Sequence, residues 1–333
     1  MAEIYADITT ELGAFGRARN QEVRAMLYQQ SQLAQYTRPV YGVNGRFPAL
    51  NSVLGNVIRR FASTWEGSGT TEFMVNDLRN YRMKVNHAIK PADVKETWIG
   101  ETLYDEKLQA PEQPLAAYIM YKELMPAVVR DVERAMGFGD VTSADQVLQV
   151  MDGLVTILTR GITTGEMFKV PVTGPITVSN ALDTVQTFED TLDEVPQAAD
   201  AIDRIFMSAI NKRKMLRDDK ATNGKDTDFQ KDGRKYTYEG NREIVGLRCL
   251  NGSDLIFATP NENFLRLIDS VDASTPIIQK VQELDYDVKI FMEFWLGLAF
   301  WTDQLVFVSN FGSAVKGLST AAQDIKYFQK SFK

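Results

Sequence analysis

The chain has little of what covalent and catalytic chemistry needs: one cysteine and one histidine in 333 residues. Base is also short, with 37 Lys plus Arg against 44 Asp plus Glu, a formal net charge of -7. Cys249 alone forms neither an intrachain disulfide nor a cysteine-rich zinc site, so burial must hold the fold. His87 alone removes every mechanism that needs a histidine pair, and Ser-His-Asp chemistry would have to run through it. The negative balance argues against a dedicated nucleic-acid reader, whose footprint is basic because phosphate neutralisation supplies most of its affinity. Long hydrophobic runs are missing too. The nearest, Ile290 to Trp301, is roughly half the ~20 residues a spanning helix needs, and Glu293 interrupts it. Glu3, Asp7, Glu11 and Glu22 break up the first thirty residues, which do not read as a secretory signal. The expectation is a soluble protein.

What is present suits a globular chain. Apolar residues make up 44% and charged residues 24%, enough for a sizeable core and far from the signature of disorder. Length suggests about two domains. The first forty-odd residues carry Val23, Met26, Leu27 and Leu33 at helical spacing, a narrow stripe on a Gln-rich helix. So narrow a stripe does not nucleate a core, which predicts an arm lying on something else, ended by turn chemistry from Tyr41 to Pro48. In NYRMKVNHAIK, Tyr81, Met83 and Val85 alternate with Arg82, Lys84 and Asn86, the pattern of a half-exposed strand. The upstream FASTWEG and TEFMVND stretches are expected to supply its partner in a long hairpin. Leu115 to Met136 then follows the helical period as one long helix, bent where Pro126 removes a backbone donor.

A second helix is expected from Ser143, whose spacing to Gln146 fits a capping box, and a third from about Asn180 to Leu192. RIFMS reads as a buried strand, NKRKMLRDDK as a charged helix, and NENFLRLID as the start of another helix. Val288 to Phe300 and Gln304 to Ser309 read as closing strands. Helices and strands mix without regular alternation, which gives an α+β fold class.

Templates for chemistry mostly fail. The segment after Asp226 starts like a calcium loop but has Lys231 where Gly is needed and Thr237 where Glu is needed. Gly137 and Gly139 open a dinucleotide fingerprint, yet they follow a helix, and Thr142 takes the third Gly position. Gly224-Lys225 is followed by Asp226, so it is no P-loop. His87 reads as a surface strand residue and Cys249 as a small buried one. Lys212, Arg213, Lys214 and Arg217 form a basic cluster, but Asp218 and Asp219 follow directly and predict a solvated helix of mixed charge. Glu189, Asp190, Asp193 and Glu194 read as an exposed acidic surface or an intersubunit charge contact. Phe291, Phe294, Trp295, Phe300 and Trp301 read as core. No catalytic, cofactor-binding or metal-ligating residue is assigned, and no enzyme activity is expected.

The order of RIFMSAINKRKML, then DGRKYTYEGNREIVGLRCLNGSDLIFATPNENFLRLID, then YDVKIFMEFWLGLAFWTDQLVFVS resembles the major capsid proteins of tailed bacteriophages, with the Hong Kong 97 phage-like fold. That resemblance implies an N-terminal arm at 1–48 and an extended E-loop hairpin with flanking strands at 49–100. It further implies a peripheral domain with a long spine helix at 101–142 and 262–333, and an inserted axial domain at 143–261. It implies a self-assembling subunit of an icosahedral head shell, built as hexamers and pentamers and enclosing double-stranded DNA without sequence-specific binding. The implied partners are a separate scaffolding protein, a portal and cement proteins, with no membrane; the implied location is the virion, after assembly in the host bacterial cytoplasm. Encapsulin shells share the fold and stand as the alternative, ahead of an α+β enzyme with an unrecognised site. A two-stranded ribbon is marginal alone in water, so the hairpin makes physical sense if a neighbouring copy covers it. Deleting about Thr64 to Arg82 is then expected to leave a folded protein that forms no shells.

Overall fold

The computed structural model describes residues 2–29, 31–54, 71–90, 115–195, 200–223, 236–237, 242–269, 277–284 and 287–332. The chain opens with two helices, α1 (Ala2–Ala18) and α2 (Asn20–Gln29), and a 3-10 turn, Gln32–Gln35. Val23, Leu27 and Leu33 of the expected stripe are buried. What they lie on is the chain's own body: Leu12, Val23, Leu27 and Leu33 join its largest core cluster, and Asn20 Oδ1 accepts the Ile277 N–H at 3.0 Å.

Four strands follow: β1 (Arg38–Val40), β2 (Arg46–Leu54), β3 (Thr71–Arg79) and β4 (Tyr81–Ile89). β4 alternates as expected, with Met83 buried and Arg82, Lys84 and Asn86 exposed. Its partner is different from the one predicted. TEFMVND belongs to β3, which pairs antiparallel with β2 from Arg46↔Arg79 to Leu54↔Thr71, whereas β4 pairs with the long strand β11 (Asp287–Phe300), Met83 opposite Phe294. FASTWEG lies outside the described residues. Asn80 makes the change of partner possible: its N–H donates to the Gly45 carbonyl at 2.6 Å and its side-chain amide to that of Val43 at 2.5 Å. The ribbon is pinned there, and β4 is free to cover its apolar face with Phe294.

The long helix, α3, is an α–π–α composite: Leu115–Tyr118, then π-helical Ile119–Leu124, then Met125–Phe138. Pro126 has no N–H to donate four residues back, and the turn before it widens, Met125 N–H donating five residues back to the Met120 carbonyl. The helix expected at Ser143 instead begins at Leu154, as α4 (Leu154–Thr164). Side chains capture the earlier backbone. Asp140 Oδ1 accepts from the Thr142 N–H, and Asp145 Oδ1 from those of Val147 and Leu148, local bonds that compete with helix.

The remaining elements are β5 (Phe168–Val172), α5 (Ala181–Asp193), β6 (Arg204–Ser208), α6 (Ala209–Asn223), β7 (Glu243–Leu247), β8 (Phe257–Ala258), β9 (Phe264–Ile268), β10 (Ile278–Leu284), β12 (Phe307–Phe311) and α7 (Ala321–Phe328). α5, β6 and α6 stand where the sequence put them. NENFLRLID does not start a helix. All five residues of β9 are buried between β1 and β11, and a short apolar run covered on both faces has no periodicity to distinguish strand from helix.

One sheet runs β1-β9-β11-β10, with β4 also on β11; a second runs β5-β12-β8-β6-β7; β2-β3 is the third. Parallel pairs (β1 with β9, β5 with β12, β6 with β7) mix with antiparallel ones, and the architecture is α+β as expected. The two closing strands do not pair with each other. A 3-10 turn at Asp303–Leu305 carries the chain from β11 in the first sheet to β12 in the second. Phe264 of the first sheet meets Phe257 of the second edge-on at 5.9 Å and Phe206 at 6.2 Å, tying the sheets together. The aromatic run therefore divides: Phe294 and Phe300 are core, while Phe291, Trp295 and Trp301 are half-buried. Alternation along β11 places Phe291 and Trp295 on its outer face. No described helix is long and apolar enough to cross a membrane.

Candidate assembly surface

The β2–β3 ribbon stands as its own two-stranded sheet and has apolar residues on both faces. The inner face carries Ala49, Leu78 and Phe47, which pack with Leu265, Leu267 and Trp301, and Val53 and Met74, which pack toward Tyr327 and Phe328. Polar anchors accompany them: Asn51 Nδ2 donates to the Trp301 carbonyl at 2.7 Å and Asn76 Nδ2 to the Phe300 carbonyl at 3.0 Å. Lys326 pairs with Glu72. Gly297 of β11 allows the close crossing at the ribbon's base, since a Cβ there would stand 2.5 Å from the Arg79 carbonyl oxygen.

Among the described residues the outer face has no such cover. Leu50 is 59% exposed, Val75 directly opposite it 65%, and Phe73 70%. These three form an apolar ridge on a ribbon already docked on its other side. The signal was present in Phe73-Met74-Val75, consecutive apolar residues in a strand, which put apolar side chains on both faces. It went unread because the stretch was assigned to β4 as its hairpin partner, whereas it pairs with β2.

Beside the ribbon's base lies a cleft of about 510 Å³ lined by Asn76, Tyr81, Asp152, Arg160, Glu166 and Asp303, among others. Asp152 is neutralised within it, accepting from Tyr81 Oη at 3.0 Å and Arg160 Nη1 at 2.8 Å. Asp303 accepts from Asn76 Nδ2 at 3.1 Å. Burial, and secondarily repulsion from Glu166, pushes its carboxyl up to about 6, against the opposing effects of Asn76 and Arg160. Its pKa is thus higher in the folded than in the unfolded chain. The stabilisation from holding this proton is complete below about pH 4 and is lost as pH rises through 6. Asp303→Asn should remove that loss. Relative to the parent, the variant should gain stability between pH 4 and pH 7, reaching about 3 kcal/mol, read as the difference between urea midpoints at matched pH. A constant difference across that range would contradict the assignment.

The other sequence candidates are dispersed. His87 is exposed on β4, opposite Ile290. Cys249 is half-buried, its thiol pushed up to about 12 by desolvation and then by Glu133, which makes it a poor nucleophile at neutral pH. Gly137 and Gly139 serve packing. A Cβ on Gly137 would stand 2.1 Å from the Cys249 carbonyl oxygen, and one on Gly139 2.3 Å from that of Met151. The calcium-like segment from Asp226 and the Gly224-Lys225 pair lie outside the described residues, apart from Tyr236 and Thr237. No group of three or more His, Cys, Asp or Glu is arranged for a metal among the described residues.

Both charge clusters depart in part from expectation. Glu189 is buried, and its Oε1 accepts from Thr237 Oγ1 and from Arg242 Nη1 at 3.3 Å. Asp193 takes Arg242 Nη2, and Glu194 pairs with Lys316 and Lys330. Glu189 alone of the four serves the interior, because Arg242 enters from a distant segment that spacing does not reveal, while Asp190, Asp193 and Glu194 are exposed as expected. In the basic cluster, Lys212 and Lys214 donate to the carbonyls of Ile244 at 2.8 Å and Ile176 at 2.7 Å, while Arg213 and Arg217 stay exposed.

No protein-family model and no curated protein matches the sequence. Solved structures do. A chain of the satellite phage P4 procapsid structure, which includes the size determination (Sid) protein, matches with TM-score 0.53 at 11% identity, over 89% of this chain and 92% of that one. The cyanophage A-1(L) capsid matches with 0.52 at 12%, over 86% and 91%. The capsid of Myoviridae phage XM1 matches with 0.50 at 10%, over 89% and 91%. Identity this low speaks to architecture, and the match covers most of each chain: the chain has the fold of the major capsid proteins of tailed bacteriophages.

Proposed function

We propose that the protein is the structural subunit of an icosahedral phage head, assembling through hexamers and pentamers around double-stranded DNA. The observation that carries this reading is the exposed Leu50–Phe73–Val75 ridge on a ribbon of a capsid-fold chain. An apolar face of that kind marks an interaction site, and a neighbouring copy supplies its cover. Repetition over a closed shell converts modest contacts into a persistent particle. The division that goes with this reading is an arm at 1–48, a hairpin region at 49–100, a peripheral domain at 101–142 and 262–333, and an axial domain at 143–261 whose sheet takes in β12 from the C-terminal segment. A scaffolding protein, a portal and cement proteins complete the head, which forms in the bacterial cytoplasm. The acidic balance suits a wall that encloses DNA without gripping it.

Sedimentation and negative-stain microscopy of the purified chain test the proposal. Megadalton particles, or capsomers that close with a scaffold, are the expected result, with double-stranded DNA in particles isolated from infected cells. A small oligomer under all assembly conditions would overturn it, and particles filled with a cargo protein instead of DNA would favour an encapsulin shell.

A further inference from the structure

Helices α5 and α6 pack side by side on the second sheet, α5 over β5 and α6 over β6 and β7, at opposite ends of its strand order. The acids that seem to balance the α6 cations in sequence do not share their face. Asp218 and Asp219 are each 7% exposed, and Asp218 Oδ2 accepts the Leu182 N–H at 2.9 Å. The outward stripe of α6 is instead Ile210, Arg213, Arg217 and Lys220, at i, i+3, i+7 and i+10, with neither Arg213 nor Arg217 in an ion pair among the described residues. The outward stripe of α5 is acidic: Asp183 and Asp190, with Thr187 between them. Arg213, Arg217 and Lys220 have the same i, i+4, i+7 spacing as Asp183, Thr187 and Asp190, so the two end charges of each stripe lie about 10 Å apart along their helix axes.

We infer that α6 of one copy docks its basic stripe against the acidic stripe of α5 on the next, a head-to-tail contact that closes the ring of a capsomer. The occupant is a second copy of this chain because the chain itself carries the complement, at matching spacing, on the helix over the other end of the same sheet. A heterologous contact of this kind generates rings when its rotation closes, and Ile210, 45% exposed, gives it an apolar anchor. Complementary charge chiefly sets register and association rate and excludes wrong pairings. The inference rests on the shell reading and adds the surface that joins neighbours within a ring.

Charge reversal tests it. Arg213→Glu with Arg217→Glu should lower the yield of capsomers and shells about tenfold or more, as should Asp183→Lys with Asp190→Lys, while circular dichroism melts show both proteins folded. Combining all four changes with Lys220→Glu in one chain restores opposite charge at both ends of the matched stripes and should restore assembly. Assembly of the parent should also weaken as salt rises toward 1 M, where screening acts over about 3 Å. Normal shells from either double variant would overturn the inference, and so would a failure of the fivefold variant, folded, to recover. Arginine variants that assemble normally but retain less nucleic acid would likewise overturn it, assigning the stripe to DNA. Because the parent is assayed alongside, its own failure to assemble would count against the shell reading instead.

Discussion

Arg242→Met should cost the subunit about 3–5 kcal/mol, the range for breaking a buried ion pair by removing one partner. Arg242 and Glu189 expose only 4% and 3% of their side chains. The guanidinium is fully engaged: Nε on the Ile202 carbonyl at 3.1 Å, Nη1 on Glu189, and Nη2 on Asp193. Thr237 closes the network, accepting the Arg242 N–H at 3.0 Å while its hydroxyl donates to Glu189. Methionine fills much of the volume but leaves the carboxylate in a low-dielectric site with its counter-charge gone. The cost should therefore fall on the orphaned Glu189, and Glu189→Gln in the same chain should recover a large part of it. Urea unfolding of the two single variants and the double variant measures this coupling. A single-variant loss below about 1 kcal/mol would mean that water reaches Glu189 and that the pair is a surface one.

This network also shows where sequence reading stops. Period-based elements were legible: the α5 stripe, the buried RIFMS strand and the β4 alternation each follow from burial of one face, and the fold class and family resemblance followed from their order. What spacing cannot show is which distant segment meets which. Glu189 looked exposed because its partner Arg242 is far along the chain, and Asp218 looked like a neutraliser of Arg217 because adjacency in sequence is not adjacency on a helix face. β9 read as a helix because full burial erases periodicity, and Ser143 as a cap because its side chain can serve a turn equally well. The E-loop region was recognised but paired wrongly: Tyr81–Ile89 has one apolar face, which a core sheet covers, whereas Thr71–Arg79 has two.

That two-faced strand leads to the prediction with the largest effect on function. Phe73→Asp combined with Leu50→Asp should abolish shells while leaving the subunit folded. In the isolated subunit both side chains are largely in water, so replacing them should shift stability by no more than about 0.5 kcal/mol each. Against a neighbour the same carboxylates would have to be desolvated without partners, at several kcal/mol per contact, and every subunit in the shell repeats the penalty. Removing residues 64–82 outright is a poorer test than the sequence suggested, since it also takes Leu78, 2% exposed, and the first two residues of β4. An inner-face change separates docking on the neighbour from docking on the subunit itself. Asn76→Ala loses the bonds to Phe300 and Asp303 and should lower the melting temperature without adding charge to the ridge. Sedimentation should show the double Asp variant only as slow species with a parental melt, and Asn76→Ala as less stable but assembly-competent. Parental shells from the Asp variant would show that the ridge faces solvent in the particle, and another surface of the ribbon would then have to hold the neighbours.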